Sequence, residues 1–463
     1  MEPITLRELI QAVDGRLLTE TDDLDAVITC VDTDSRNITE GSLFIPLVGE
    51  RFDGHAYLGA ALESGAAGCL TARERESYLP GKFYIKVGNT LRALWDLARY
   101  YRRRFDIPVI GVTGSVGKTT TKDMIAAVLS TRYRVLKTDG NFNNTVGLPL
   151  TVLRLTHEDQ VCVLEMGMSK KGEIDALASI AEPDIAVITN IGDAHIENLG
   201  SREGILAAKC EMLDHVRKPG LVVLNGDDPL LAGLKDTCPL PMVFCGSGEG
   251  LDYQASRLEG DGKSRLRCHV RTPRMETEVE IPALGSHMIY PALTAMAVGE
   301  HLGLNREEMV QGILRFAPTK MRMNILERGN DITILNDAYN ANPQSMRAAI
   351  EVLSASPARY KIAVLGDMLE LGPFAHALHE GVGECVGRAD VDCLIAVGEL
   401  ARYLWEGADR SGVPMSYYCA TKDEAKQAIK LALQPGSTVL VKASRGMAME
   451  ELVDYLMMIT DEA

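Results

Sequence analysis

The sequence Val109-Ile110-Gly111-Val112-Thr113-Gly114-Ser115-Val116-Gly117-Lys118-Thr119-Thr120 is a β-branched apolar run that ends in glycines and leads into a helical pattern. This order predicts a strand, a phosphate-binding loop and a helix of a nucleotide-binding α/β unit. Gly114 and Gly117 let backbone amides face phosphate oxygens at a helix N-terminus. Lys118 can reach the β- and γ-phosphates, and the Thr119 hydroxyl can bind Mg²⁺. We therefore predict that this stretch binds ATP or GTP.

Length and charge limit the classes of protein to consider. A chain of 463 residues is longer than a domain with a single hydrophobic core usually is, so its length predicts about two to four domains. The 64 acidic and 48 basic residues give a net charge of −16, which argues against a general nucleic-acid or acidic-membrane surface. The N-terminus has no signal pattern and no apolar run is long enough to span a bilayer. The ten cysteines lack a Cys-x-x-Cys pair, which favours a cytoplasmic enzyme with reduced thiols.

The pattern of strands and helices predicts an α/β chain of three domains. Residues 1–104 form a small mixed unit, with strands predicted over 26–31 and 43–47. Residues 105–317 alternate strands and helices, as in a parallel sheet, and 251–283 add antiparallel strands. Residues 318–463 alternate again. Outside the first unit, strands are predicted over 109–112, 134–137, 161–164, 185–189, 221–224, 242–244, 332–335, 362–365, 394–397 and 439–441.

Polar residues follow several of these strands, at the edge where parallel sheets place their function. Glu165 can hold Mg²⁺ together with Thr119, or can be an ordinary loop acid. His195 follows another strand and is either a ligand or a polar loop residue. Asn143 and Asn144 can close a turn or reach substrate or phosphate.

The two outer units carry their own candidate sites. Asp34-Ser35-Arg36 is either a loop with an Asx cap or a site for phosphate or carboxylate. In 336–343, a polar loop with an aromatic residue can stack on a base, while Asn342 and Pro343 can also begin a helix. Lys442-Ala443-Ser444-Arg445 follows a strand, and its cations can meet a carboxylate or phosphate.

Taken together, these stretches resemble the Mur ligases over essentially the whole chain. The resemblance is strongest to the branch that adds D-alanyl-D-alanine to a UDP-N-acetylmuramoyl-tripeptide. Asp337-Ala338-Tyr339-Asn340-Ala341-Asn342-Pro343 is the discriminating motif, because sister ligases carry a His-Thr-Pro version. Val112 stands where the general phosphate-loop pattern has glycine, and the Mur ligases share this departure from the pattern. The resemblance also includes Thr33–Arg36, Gly41–Phe44, Asp53–His55, Asn143–Pro149, Glu165–Gly167, Thr189–His195, Leu199–Ser201, Leu365–Met368 and Val441–Arg445.

The resemblance implies that each of the three units binds a different substrate. Residues 1–104 bind the UDP-sugar-peptide, with Ser35 and Arg36 carried over as substrate contacts. Asn143 and Asn144 of the central unit are carried over as further contacts with this substrate. Residues 105–317 bind ATP, and 318–463 bind the dipeptide and adenine. The implied ATP-binding residues are Gly114, Ser115, Val116, Gly117, Lys118, Thr119, Thr120, Arg322, Asn336, Tyr339 and Asn340.

The resemblance further implies a metal centre and a reaction. Lys118, Glu165, His195 and Lys209 are the implied catalytic residues. Thr119, Glu165, His195 and a carbamylated Lys209 are the implied ligands of two Mg²⁺ ions, although Lys209 alone would be read as a solvated helical residue. The tripeptide carboxylate attacks ATP to form an acyl phosphate, which the dipeptide amine then opens. We expect a monomer that closes about joins near residues 104 and 317.

Two other functions are compatible with a phosphate loop. A folyl-polyglutamate synthetase shares the acyl-phosphate route but would lack the uridine-binding first unit, and Asp34-Ser35-Arg36 speaks against it. A nucleotide-hydrolysing switch protein would release phosphate without either peptide substrate.

Overall fold

The computed structural model describes residues 1–20, 23–49 and 51–459. Its strands are β1 Ile4–Thr5, β2 Arg16–Leu17, β3 Val27–Ile28, β4 Val31–Asp32, β5 Leu43–Phe44, β6 Gly68–Thr71, β7 Phe83–Lys86, β8 Val109–Thr113, β9 Val135–Lys137, β10 Val161–Glu165, β11 Ile185–Ile188, β12 Leu221–Asn225, β13 Met242–Gly246, β14 Tyr253–Gly260, β15 Leu266–Arg271, β16 Glu276–Ile281, β17 Asn324–Arg328, β18 Ile332–Asn336, β19 Tyr360–Gly366, β20 Cys393–Val397, β21 Met415–Cys419 and β22 Ser437–Lys442.

The helices connect these strands and cover the sheets. They are α1 Leu6–Ala12, α2 Leu58–Glu63, α3 Thr90–Arg102, α4 Lys118–Leu129, α5 Gly147–Val152, α6 Glu173–Ala181, α7 Ile196–Leu199, α8 Arg202–Cys210, α9 Pro229–Ala232, α10 Ile289–His301, α11 Arg306–Leu314, α12 Pro343–Ser354, α13 Ala375–Arg388, α14 Ala401–Arg410, α15 Lys422–Ala432 and α16 Glu450–Met458. No helix in the described part of the chain is long and apolar enough to cross a membrane.

The central sheet has the strand order β16-β15-β14-β13-β12-β11-β8-β10-β9 among the described residues. Strands β9 to β14 run parallel, and β15 and β16 are appended antiparallel, as the sequence predicts. Alternate side chains of β8 enter different cores. Ile110 and Val112 pack with residues of α4, α10 and α11, whereas Val109 packs with residues of α3, α5 and α6. Burial on both faces explains the nearly continuous apolar runs.

Helix α3 fixes the first unit against the central one. Its apolar side chains share a core with α5 and α6, and the buried Arg102 donates hydrogen bonds to the carbonyls of Ala181, Phe105 and Ile107. Arg99 donates to Ser179 O at 3.0 Å. These buried bonds stabilise the junction between the first and central units, and movement about the joins near residues 104 and 317 stays a prediction.

The third unit contains a sheet of order β17-β18-β22-β19-β20-β21, parallel except for β17. Helices α15 and α16 cover one face, and α12, α13 and α14 cover the other. Strands β17 and β21 lie outside the strand predictions. Both are edge strands with partly exposed side chains, which weakens the apolar signal from which strands are predicted.

The prediction of one strand over residues 26–31 is wrong. The segment forms β3, which pairs antiparallel with β1, and β4, which pairs parallel with β5 in another sheet. The chain therefore changes sheets between Ile28 and Val31. The first unit's main sheet has the order β2-β7-β6-β5-β4, with α2 packed against Phe44, Cys69 and Tyr84.

Candidate active site

The loop between β8 and α4 has the two glycines where its shape needs them. Gly114 has φ +148°, and a side chain there would collide with Thr189 Oγ1. Gly117 has φ +81° and is the residue from which α4 begins. Both conformations lie where residues with side chains are disfavoured, so the glycines are needed for the loop itself.

The segment after β11 holds this loop in place. Ser115 N donates to Asn190 O at 3.0 Å, and Val116 N donates to Asn190 Oδ1 at 2.9 Å. In return, Gly192 N donates to Ser115 Oγ at 2.9 Å. These bonds set the loop's conformation before any nucleotide arrives, which lowers the entropy cost of binding.

Lys118 is the first residue of α4, and its side chain folds back onto the phosphate loop. Its Nζ donates to Gly114 O at 2.8 Å. Burial lowers the pKa of Lys118, the nearby Glu165 carboxylate opposes that shift, and Arg322 adds to it. The ammonium therefore has neutral carbonyl partners that an incoming phosphate can replace.

Glu165 ends β10, directly beside the strand that leads into the loop. Its Cα pairs with that of Val112, and its carboxylate is almost fully buried. Asn143 Nδ2 donates to Oε1 at 2.8 Å, whereas Oε2 is buried and has no hydrogen-bond partner. An unpartnered buried carboxylate oxygen is a site prepared for a cation.

The side chains of Asn143 and Asn144 have different hydrogen-bond partners, although the two residues are neighbours in one loop. Asn143 orients Glu165, as described above, and its carbonyl accepts from Gly167 N at 2.8 Å. Asn144 Oδ1 accepts from the backbone amides of Val146 and Gly147, so this side chain closes a turn. The turn predicted for this pair is confirmed for Asn144, and a contact of either residue with substrate or phosphate stays a prediction.

His195 and Lys209 lie on the central unit near the loop. His195 precedes α7 with φ +62°, and its Nδ1 lies 2.6 Å from Glu370 Oε2 of the third unit. The His195 contact lowers the pKa of Glu370. Lys209 in α8 is only 2 % exposed, so it is not the solvated residue its helix pattern suggests. Burial, with the charge of Lys118, holds the pKa of Lys209 well below its ordinary value.

The third unit contributes a loop that faces the central sheet. Arg322 lies over the Tyr339 ring, with its guanidinium carbon 4.2 Å from the ring centroid. Lys442 Nζ donates to Asp337 Oδ2 at 2.5 Å and to Asn340 O at 2.9 Å. The Lys442 cation therefore meets a carboxylate, one of the two partners that the sequence predicts for it.

The same loop begins a helix as predicted. Asn342 Oδ1 accepts from Ser345 N at 2.9 Å, and Pro343 is the first residue of α12. This is a capping box, which leaves the preceding residues free to face the central unit.

One cavity of about 760 Å³ lies between the central and third units. Several predicted site residues are not among its lining residues: Gly114, Lys209, which is buried in α8, Asn336, which is buried at the end of β18, and Ser35 and Arg36, which belong to the first unit. The predicted residues that do line the cavity are Ser115, Val116, Gly117, Lys118, Thr119, Thr120, Asn143, Asn144, Glu165, His195, Arg322, Tyr339 and Asn340.

The first unit's candidate site is an exposed turn. Arg36 N donates to Asp34 Oδ1 at 3.0 Å, which confirms the Asx turn. The Arg36 guanidinium donates through Nε to Oδ1 at 2.8 Å and through Nη2 to Oδ2 at 2.6 Å. Arg36 lowers the pKa of Asp34 to about 2. A ligand phosphate would have to replace Asp34 as the partner of Arg36.

Sequence reasoning missed several residues that line the cavity. His287 is one, and burial lowers its pKa although Asp337 opposes the shift. Tyr290 is another, and its hydroxyl donates to Asp227 Oδ2 at 3.0 Å. Gln344, in α12, approaches Gly192 across the interface. None follows a predicted strand directly, so the strand-end rule could not select them.

The residues beside the loop suit Mg²⁺ by their chemistry. Carboxylate and hydroxyl oxygens are its preferred ligands, and Glu165 Oε2 is a buried oxygen without a partner. Within the described residues, no group of three or more His, Cys, Asp or Glu side chains could hold a metal by itself. Glu165 and the Thr119 hydroxyl supply oxygen atoms of the kind that Mg²⁺ prefers, and both residues line the cavity.

Family comparisons agree with this geometry along the chain. The model of the Mur ligase middle domain matches residues 112–299, and that of the Mur ligase glutamate ligase domain matches 321–445. A third, the Mur ligase family catalytic domain, matches 27–102. The chain belongs to the Mur ligase family. The resemblance found in the sequence motifs is confirmed.

Individual Mur ligases match the chain from end to end. A Bacillus subtilis protein named UDP-N-acetylmuramoyl-tripeptide–D-alanyl-D-alanine ligase is 42% identical over 460 residues, 98% of either chain. A crystal structure of MurF from Acinetobacter baumannii has a TM-score of 0.92 at 32% identity and covers 99% of both chains. Thermotoga maritima MurF in complex with ADP has a TM-score of 0.82 at 28% identity, covering 92% of this chain and 96% of that one. The predicted α/β fold class is confirmed.

Proposed function

We propose that this chain is an ATP-dependent ligase that joins D-alanyl-D-alanine to UDP-N-acetylmuramoyl-tripeptide. The products are the UDP-N-acetylmuramoyl-pentapeptide, ADP and phosphate, in the cytoplasmic part of peptidoglycan synthesis. The Bacillus subtilis relative with this name supports the assignment, since the two chains match over 98% of their lengths. The ADP complex of the Thermotoga maritima relative supports ATP as the nucleotide.

One structural observation carries the proposal. A single cavity joins Lys118 of the phosphate loop, the unpartnered oxygen of Glu165, and the loop Asp337–Asn342 of the third unit. A ligase that activates a carboxylate must hold a nucleotide, an acid and an amine together, because most of its catalysis is positioning. A cavity between two domains can supply all three.

We assign substrates to the three units as follows. Residues 1–104 bind the UDP-sugar-peptide, with Ser35 and Arg36 as contacts, and Asn143 and Asn144 extend that contact into the central unit. Residues 105–317 bind the ATP phosphates, and residues 318–463 bind the dipeptide. Tyr339 and Asn340 contact the adenine, and the buried Asn336 supports their loop, since its Oδ1 accepts from Ala338 N at 3.3 Å. The enzyme acts as a monomer.

Two Mg²⁺ ions belong in this proposal. Thr119, Glu165, His195 and a carbamylated Lys209 would hold them together with phosphate oxygens. When bound, Mg²⁺ neutralises negative charge on the phosphate groups. The buried, unpartnered Glu165 oxygen supports this assignment.

Carbamylation would make Lys209 an anionic ligand. Its neutral Nζ attacks the carbon of CO₂, an N–C bond forms, and one proton is released to solvent. The lowered pKa of Lys209 supports this step, because only the unprotonated amine has a free electron pair. The carbamate would also place a negative charge beside Lys118, whose positive charge acts on Lys209.

The first chemical step is phosphoryl transfer. The terminal carboxylate of the tripeptide attacks the γ-phosphorus of ATP, and the bond to the β-phosphate oxygen breaks to release ADP. Lys118 leaves Gly114 O and donates to the phosphates, which stabilises the charge that gathers there. We expect the third unit to close over this cavity when substrates bind, which would keep water from the acyl phosphate.

The second step forms the amide. The free amine of D-alanyl-D-alanine attacks the activated carbonyl carbon, the carbon–oxygen bond to phosphate breaks, and the amine loses a proton. Its products are the new peptide bond and inorganic phosphate.

Product analysis tests the proposal. The full chain is incubated with ATP, Mg²⁺, the UDP-linked tripeptide and D-alanyl-D-alanine, and the product mass is measured. We expect the pentapeptide, with phosphate release that needs both peptide substrates. Phosphate release without either one would favour a nucleotide switch. Ligation of glutamate to a folate instead would favour a folyl-polyglutamate synthetase.

A further inference from the structure

Glu370 of the third unit reaches His195 of the central unit. Its Oε2 lies 2.6 Å from His195 Nδ1. His195 lines the cavity, whereas Glu370 is not part of the lining and approaches the ring from outside. At this distance the carboxylate is an ion-pair partner that is not in full hydrogen-bond alignment, and no other group among the described residues pairs with the buried Nδ1. The carboxylate is thus the group available to fix the state of this ring.

The residues just before Glu370 are hydrogen-bonded to α13 and to the segment that follows β22. Met368 N donates to His379 Nε2, and Leu369 N donates to Ser444 Oγ, each at 2.9 Å. Ser444 N donates to Asp367 O at 3.0 Å. The loop is therefore fixed to the body of the third unit, and Glu370 moves with that unit.

Both partners of the contact have a disfavoured backbone conformation. Glu370 and His195 each have φ +62°, in the left-handed region that favours glycine. His195 is held by its neighbours, because Asp193 accepts from Arg202 Nε and Nη2 at 2.7 and 2.9 Å. Strain that neighbouring bonds maintain on both sides of one contact is typical of a functional site.

We propose that Glu370 is a positioning residue that keeps the proton of His195 on Nδ1, so that Nε2 presents its electron pair to Mg²⁺. A carboxylate on the outer nitrogen of a metal-binding histidine fixes the tautomer and the ring orientation. This inference rests on the metal site of the proposed function.

The contact between Glu370 and His195 joins two different units of the chain. The carboxylate belongs to the third unit, and its histidine partner belongs to the central one. The histidine is therefore correctly oriented only when the third unit is docked. Metal binding and docking of the dipeptide-binding unit stabilise each other by the same free energy.

Manganese binding to the full chain tests the inference, with Mn²⁺ as an EPR probe in the presence of ADP. Wild-type protein should bind two Mn²⁺ ions, one of them lost in H195Q. In E370Q, the Kd of that same ion should rise about 10-fold, while the other ion is unaffected. E370D, which keeps the carboxylate, should restore part of the affinity.

Glu197 supplies a matched control. It is exposed, lies beside Gly372 at the same interface, and is two residues from His195. E197Q removes the same charge without touching the imidazole and should leave both Kd values unchanged. If E197Q and E370Q changed the Kd equally, the effect of Glu370 would come from its charge alone and not from its contact with Nδ1. That result would overturn the inference.

A second readout needs no metal. The ¹⁵N shifts of the His195 ring, assigned by difference from H195Q, should show the Nδ1–H tautomer in wild type and a mixture in E370Q. Unchanged shifts, a single Mn²⁺ site in wild type, or tighter Mn²⁺ binding in E370Q would each overturn the inference. The last result would make Glu370 a competitor of the metal. Pentapeptide synthesis by wild type is measured separately, so a failure here leaves the proposed reaction standing.

Discussion

Asn143 and Glu165 form a hydrogen bond that uses one carboxylate oxygen and leaves the other free. Nδ2 lies 2.8 Å from Oε1, and Oε2 is buried without a partner. Glu165 N also donates to Thr138 Oγ1 at 3.0 Å, so the backbone of the residue is held as well. The carboxylate is oriented before a ligand arrives, and only the free oxygen remains to be paired.

Replacing this carboxylate tests its proposed metal function. E165Q retains the shape but lacks the negative charge, so kcat should fall about 100-fold and the Mg²⁺ concentration for half-maximal rate should rise. At saturating tripeptide, so that the proposed substrate contact of Asn143 does not limit the rate, N143A removes the bond that orients Glu165 and should reduce the rate about 5-fold, as expected for one ordinary hydrogen bond. The measurement is initial rate against Mg²⁺ concentration. An unchanged Mg²⁺ dependence in E165Q would exclude Glu165 as a ligand.

Lys118 should act mainly on the transferred phosphate. K118A removes the ammonium that can leave Gly114 O for the phosphates, and the rate should fall about 10²- to 10³-fold. The variant K430A, changed at an exposed lysine of α15, is the control and should match wild type. Steady-state rates give the comparison. If K118A kept most of its activity, charge stabilisation would have to come from elsewhere.

Carbamylation of Lys209 can be observed without turnover. Protein equilibrated with ¹³C-bicarbonate should give a carbamate carbon signal, because burial keeps the Lys209 amine unprotonated and reactive. The signal should be absent from K209M. It should also weaken as the pH falls, since the carbamate loses CO₂ when protonated. A spectrum identical in K209M and wild type would contradict the modification.

Histidine burial should make the folded chain sensitive to mild acid. His379 is fully buried, accepts from Met368 N and contacts Ala375 O through Nδ1, and burial lowers its pKa although Asp367 opposes the shift. The unfolded chain therefore binds the proton first, near pH 6.5, and the free energy of unfolding falls as the pH drops below about 7.

Thermal unfolding midpoints between pH 7 and 5 check this prediction. The midpoint should fall less in H379Q than in wild type, because the substituted residue cannot take up the proton. H301Q, in which an exposed histidine is changed, should keep the wild-type dependence. The explanation is wrong if H379Q loses as much stability with acid as wild type does.

The sequence predicted the centre of the molecule well for physical reasons. Strands β8, β10 and β11 are buried on both faces, so their apolar runs are long and uninterrupted. The rule that function lies at the carboxyl ends of such strands then led to Glu165 and His195. Both line the cavity, beside the glycine loop from β8.

Contacts between units could not be predicted in the same way. Glu370 meets His195 across 175 positions of sequence, and nothing in either local pattern indicates the pairing. The edge strands β17 and β21 were not predicted, because half-exposed strands lack the continuous apolar run from which a strand is recognised. Lys209 looked solvated by its helix pattern, whereas tertiary packing buries it.

The proposed chemistry predicts a specific path for one oxygen atom. A tripeptide whose terminal carboxylate contains ¹⁸O is converted to product, and the inorganic phosphate is analysed by mass spectrometry. Attack of that carboxylate on ATP leaves its oxygen bridging carbon and phosphorus, and amide formation then releases it with phosphate. We predict one ¹⁸O atom in the phosphate for each fully labelled carboxylate consumed. Pentapeptide formed together with unlabelled phosphate would contradict activation of the acid as an acyl phosphate.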